Sequence, residues 1–202
     1  MNRPTMRMRS DPPWTLAEFH ELLQEMPEGE RWELMGGRIY KMMVGGTIGH
    51  GRIVGNVGFA LSRQLRERGS PCSVFQEAAR VEIEAAEASF FPDVVVTCQD
   101  VDPAARAVRN PVVLVEVLSR TTRDKDETVK LAVYRTIPSL RAYIMVEQGV
   151  PGIRAVLRAE GDRWDWVHLE VGGLTSVHVP EIDLTLTLAE TYAGLLELVA
   201  PS

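Results

Sequence analysis

The sequence predicts an α/β fold with a sheet covered on both faces, and three observations carry that reading. Two short apolar, β-branched runs, FFPDVVVTC and NPVVLVEVLS, lack the polar alternation of a half-exposed strand and read as fully buried strands. Segments of helical period flank them, GHGRIVGNVGFALSRQLRERG before and RDKDETVKLAVYRTIP after. A third buried run, LRAYIMVEQ, follows the second helical segment.

A chain of 202 residues with 45% hydrophobic and 25% charged residues fits one globular domain. No apolar run approaches the roughly 20 residues of a spanning helix, and no apolar core follows the basic start MNRPTMRMRS, so the expected location is cytoplasmic. The formal net charge of -6 argues against a general polyanion binder and leaves only a local basic patch, supplied by residues 63–68 or 120–135. Cys72 and Cys98 show no CxxC and no metal-type spacing, and are expected as buried structural thiols.

Residues 1–13 carry Arg3, Arg7 and Arg9 with few apolar partners and are expected as a flexible arm; 14–202 then form a single domain. Thr15 with Glu18 is a capping box that opens a short helix stopped by Pro27. RWELMGGRIYKMM alternates around Gly36-Gly37 as a hairpin with a tight turn. The core spans about 47–147, beginning with a helix whose stripe is Ile53, Val57, Ala60, Leu61 and Leu65 and which ends at Gly69. SVFQEAARVEIE alternates as a strand, and the buried runs follow it. A β extension covers 150–186, and a terminal helix, 187–199, opens on Thr187 with Glu190.

Within this frame Asp93 and Glu116 stand out, because each places a carboxylate in a buried run where an unpaired charge is costly. On adjacent strands the two can share a divalent ion, with Mg²⁺ or Mn²⁺ suited to carboxylate, water and phosphate oxygens. Such an ion activates water for attack on a phosphodiester, and Lys130 on the next helix can stabilise the charge that develops. An ion-paired Asp–Glu–Lys cluster without catalysis is the competing reading. Glu33 is open between lining this site and pairing across the hairpin with Arg38 or Lys41.

The ordered signature WELMGGRI, His50 at a helix head, FPDVVV, LVEVLSRTTRDKDETVKLAVYR and VPEIDLTLTLAE resembles the Uma-two family of restriction endonucleases, within the PD-(D/E)XK nuclease superfamily. The resemblance spans Thr15 to Tyr192 and implies a restriction endonuclease-like core, a central mixed sheet flanked by helices, matching residues 50–147. It implies a metal-dependent endonuclease acting on DNA, with Asp93 and Glu116 as metal ligands and a homodimer as the expected assembly. The lysine usual two residues after the second acid is replaced by Leu118, so the resemblance points to Lys130 on the following helix, with Lys125 as competitor. A helix starting near Asp124 puts Lys130 and Tyr134 one turn apart on one face.

His50 is the candidate phosphate contact or proton shuttle. Arg120, Arg123 and Lys125 follow Glu116 and are candidate contacts to the DNA backbone, or else a solvated turn. Trp164 and Trp166 share one strand face, where they stack bases or cover a core edge. His168 and His178 are expected to face solvent. A non-catalytic nucleic-acid or protein interaction module on the same scaffold is the alternative function.

Overall fold

The computed structural model describes residues 6–7, 12–27, 29–42, 46–118 and 125–195. Met6–Arg7, from the segment expected as an arm, form a short strand, β1. Helix α1 (Leu16–Gln24) starts with the expected capping box, in which Thr15 Oγ1 accepts the Glu18 N–H and the Glu18 carboxylate accepts the Thr15 N–H. Its Leu16 and Phe19 pack on Trp32, Leu34 and Ile39 of a hairpin made by β2 (Arg31–Met35) and β3 (Arg38–Met42). Gly36 and Gly37 turn that hairpin with φ of 55° and 69°, the left-handed pair that a two-residue type I′ turn demands.

Helix α2 (Ile48–Glu67) is capped by Thr47 and buries the predicted stripe. A Cβ at Gly58 would stand 2.1 Å from the Gln76 side chain, so glycine there lets α2 lie against β4 (Ser73–Gln76). β5 (Arg80–Ile83), β6 (Ala88–Phe90), β7 (Val94–Thr97), β8 (Ala107–Val108) and β9 (Pro111–Leu118) follow. A wide π-type turn over Lys125–Lys130 then runs into α3 (Leu131–Tyr134). β10 (Ala142–Glu147), β11 (Gly152–Arg158), β12 (Trp164–Glu170), β13 (Ser176–Val179), β14 (Leu184–Thr187) and the single helical turn α4 (Leu188–Thr191) follow; of the terminal helix expected over 187–199, residues 196–199 lie outside the described residues.

The central sheet has the order β12-β11-β10-β9-β7-β4, parallel between β9 and β10 and antiparallel elsewhere. A second sheet, β1-β3-β2-β6-β5-β8, packs on one of its faces. Alternation along β9 explains both layers: Val113, Val115 and Val117 meet α2 and the β13–β14 hairpin, while Leu114 and Leu118 meet α3 and the second sheet. The β extension enters the core in two pieces, β11 and β12 widening the central sheet and β13–β14 closing over α2. Among the described residues no helix is long and apolar enough to cross a membrane.

Three expectations change. SVFQEAARVEIE is not one strand, because Glu77 takes φ of 49° and turns the chain from the central sheet (β4) to the second (β5). FFPDVVVTC likewise splits around Pro92 and Asp93 into β6 and β7, again one strand in each sheet. Cys72 and Cys98 are not separate thiols; they form a disulfide, each half-buried at the same end of the β4–β7 pair. The solvent-facing positions of His168 and His178 are as expected.

Tyr192 fastens the end of the described chain to the core. Its hydroxyl shares its proton between the Glu147 and Gly152 carbonyls, at 2.6 and 2.8 Å, and accepts the Gly152 N–H at 3.1 Å. Burial is the main cause that pushes its pKa up to about 12 from 10.0. Between those values the native state keeps a proton that the unfolded chain has lost, so stability is whole below pH 10 and falls as pH rises toward 12. Tyr192→Phe should cost about 1–2 kcal/mol at neutral pH and flatten that alkaline decline, as read by urea unfolding on both sides of the window.

Candidate active site

Three adjacent strands deliver one carboxylate each to the same end of the central sheet. Gln76 pairs with Val94, and Val94 with Val115. Continuing both ladders by one residue sets Glu77 opposite Asp93 and Asp93 opposite Glu116. The first of these steps is marked by the Glu77 N–H, which donates to the Asp93 carbonyl at 2.9 Å. Glu77 and Asp93 stand where the chain crosses between sheets, so backbone groups there lose their regular ladder partners and must find others. Carboxylates supply them: Asp93 Oδ2 accepts the Val117 N–H at 2.7 Å, and Glu33 Oε1 accepts the Phe91 N–H at 3.1 Å.

His50 reaches this end from the first turn of α2, where its own N–H is capped by Thr47 at 3.1 Å. Its Nε2 lies 3.2 Å from Asp93 Oδ1. The hydrogen bond to Asp93 raises the imidazole pKa, burial opposes it, and the charges of Asp93 and Glu77 add to the rise. Arg31 steadies Glu77, donating to its carbonyl at 2.7 Å with the guanidinium 3.6 Å from its carboxylate. His50, Glu77 and Asp93 each present a ligand atom within 4.8 Å of the others. The two carboxylates suit Mg²⁺ or Mn²⁺, with remaining positions for water and phosphate oxygens.

Glu116 is engaged differently. Its side chain enters the layer between the two sheets, where Oε1 accepts from Lys130 Nζ at 2.8 Å and from the Tyr134 hydroxyl at 3.1 Å. Lys130 Nζ also lies 3.1 Å from Glu33 Oε1. Glu33, Lys130 and Glu116 are 0%, 1% and 5% exposed, so one ammonium holds two enclosed carboxylates. Lys130 and Tyr134 do share a helix face, as their spacing predicts. Burial, and then the Glu116 charge, pushes the Tyr134 hydroxyl well above 10.0, so it remains a donor.

The structure thus brings Asp93, His50, Glu116, Lys130 and Glu33 to one region but divides them into two linked groups. Asp93 converges with His50 and with Glu77, whereas Glu116 converges with Lys130 and Glu33. Glu77 was not singled out from the sequence, because an exposed acid at the end of an alternating strand is ordinary until its register with FPDVVV is known. Arg120 and Arg123, and the side chain of Lys125, lie outside the described residues. Trp164 stacks under Arg158, whose Cζ is 4.6 Å from the ring centroid, and Trp166 is exposed.

Residues 16–192 match the Uma2 family model, described as "Putative restriction endonuclease". An uncharacterized protein of Synechocystis sp. is 30% identical over 162 residues, 79% of this chain and 88% of that relative. A second from the same organism is 28% identical over 185 residues, 91% of this chain and 95% of the relative. Among solved structures, a "putative nuclease" from Anabaena variabilis superposes with a TM-score of 0.66 at 18% identity, covering 91% of this chain and 100% of that one, which shows the restriction endonuclease-like fold.

Removing the ammonium would strand two buried carboxylates without their cation. Lys130→Met should cost about 3–5 kcal/mol in urea unfolding, and adding Glu33→Gln to it should recover part of that loss. A cost near zero would mean that the pairing contributes nothing to the fold.

Proposed function

Since this chain belongs to the Uma2 family, we propose that it is a metal-dependent endonuclease that hydrolyses DNA phosphodiester bonds. The observation that carries the reading is the convergence of His50, Glu77 and Asp93 at the sheet end where Glu116 stands next in register. Asp93 and Glu77 would hold Mg²⁺ or Mn²⁺, with Glu116 as the further ligand from the neighbouring strand. Bound there, the ion would supply polarisation of the phosphoryl oxygens and a more acidic water.

The chain's own groups do the remaining work. Asp93, tied to the Val117 N–H, has one oxygen fixed by the backbone and the other turned toward His50. His50 handles the proton at Nε2, held in place by the helix cap on one side and by Asp93 on the other. Lys130 and Tyr134 set the position of Glu116, and Lys130 offsets its charge against that of Glu33. Arg120, Arg123 and Lys125 are the proposed contacts to the DNA backbone. A homodimer would give a duplex two centres related by a twofold axis, a state that sedimentation measures directly. The proposed location is cytoplasmic, with the DNA.

One observation favours a second reading, a non-catalytic nucleic-acid or protein interaction module. Lys130 is enclosed by protein and doubly paired, and position 118 is leucine, so no lysine stands two residues after Glu116.

Nicking of supercoiled plasmid with Mg²⁺ or Mn²⁺ separates the two. Asp93→Ala, Glu77→Ala and Glu116→Ala should each lower the rate about a hundredfold or more, with thermal melting as the control for folding. Gel-shift binding without cleavage in any divalent ion would transfer the assignment to the interaction module.

A further inference from the structure

A groove of about 1080 Å³ opens beside the candidate centre, between α1 and the strands β5 and β8. It begins at Phe91, two residues before Asp93, and is walled by Arg80, Arg106 and Arg109. Arg31 links it to the centre, bonding to the Glu77 carbonyl at 2.7 Å while its Cζ lies 5.8 Å from the Phe91 ring centroid. Arg80 Cζ lies 5.9 Å from the same centroid, so a half-buried phenyl ring is flanked by two guanidinium groups.

The wall holds three arginines against two carboxylates, an excess of one positive charge that favours an anion. Its two carboxylates are already engaged: Glu30 with Lys41 and the Trp32 indole N–H, and Glu82 with His20 at 2.8 Å and Arg109 at 3.6 Å. Arg109 also reaches Glu84 at 2.7 Å. Arg106 is exposed at the rim. The Arg80 side chain is 13% exposed, and among the described residues its Nε has no hydrogen-bond partner, the Glu82 oxygen standing 4.0 Å away. The volume lies just above that of sites for single small molecules, about 300–1,000 Å³, which leaves room for a few nucleotides of one strand.

We propose that this groove binds an unpaired stretch of DNA strand continuous with the scissile phosphate, bases stacking at Phe91 and its flanking guanidinium planes and phosphates meeting Arg80, Arg106 and Arg109. Aromatic rings and arginine planes receive any base, and a basic track receives the backbone. The choice of DNA as ligand rests on the nuclease reading; the groove itself does not.

Fluorescence anisotropy with a labelled oligothymidylate and a labelled hairpin duplex, in EDTA, tests this without cleavage. Wild type should bind the single strand more tightly than the duplex. Arg106→Ala/Arg109→Ala should weaken single-strand binding about tenfold or more and flatten its log–log salt slope by about 1.4, two phosphates at about 0.7 each. Phe91→Ala should weaken it about tenfold, and Phe91→Tyr, which keeps the ring, should restore it. No single-strand binding by wild type at low salt, or unchanged affinity in the arginine double variant, would overturn the groove assignment. A wild type that binds through the groove but never cuts overturns the nuclease reading alone, and one that cuts with unchanged affinity in the variants overturns the groove alone.

Discussion

The ammonium of Lys130 between Glu33 and Glu116 is the constraint on which the arrangement depends. Glu33 belongs to the second sheet, Glu116 to the central sheet and Lys130 to the turn entering α3, so one cation joins three elements in a layer closed to bulk solvent. A charge in such a layer is tolerable only with partners of fixed geometry. Each sheet therefore has its position set against the other by the need to keep two carboxylates on one ammonium. The apolar contacts of the layer, Phe90 and Tyr143 edge-on to Tyr134, fill the space around that pairing and carry no such directional demand.

The second constraint is topological. The chain passes between the sheets at Glu77 and at Pro92–Asp93, and the two crossings lie side by side. Crossings strip backbone groups of their ladder partners, and carboxylates take their place. Asp93 and Glu33 thus serve the fold, and Asp93 at the same time converges with Glu77 and His50. The overall charge of -6 conceals the accompanying division, in which acids collect at the strand ends and arginines line the adjoining groove.

What was legible in the sequence follows from which costs are local. Asp93 and Glu116 were visible because a charge in an apolar run violates pattern within a few residues, and Lys130 with Tyr134 because helical spacing is local too. The paired caps at Thr15 and the Gly36-Gly37 turn were visible for the same reason. Glu33 was ambiguous because alternation assigns a face without saying what covers it. Glu77, the division of each alternating or apolar run between two sheets, and the joining of Cys72 to Cys98 all depend on which strands become neighbours. Those cysteines stand 26 positions apart, and nothing in that spacing signals a bond until β4 lies beside β7.

That bond has a consequence for the other end of the same pair. β4 is the outermost strand of the central sheet, and an outermost strand of four residues opens from its ends in brief local excursions. Cys72–Cys98 closes one end covalently, leaving opening to begin at the other, where Glu77 meets Asp93. The strand is a clasp hinged at the disulfide. Among the amides that bond to β7, exchange would then run in one direction, fastest at Glu77 and slowest at Ser73.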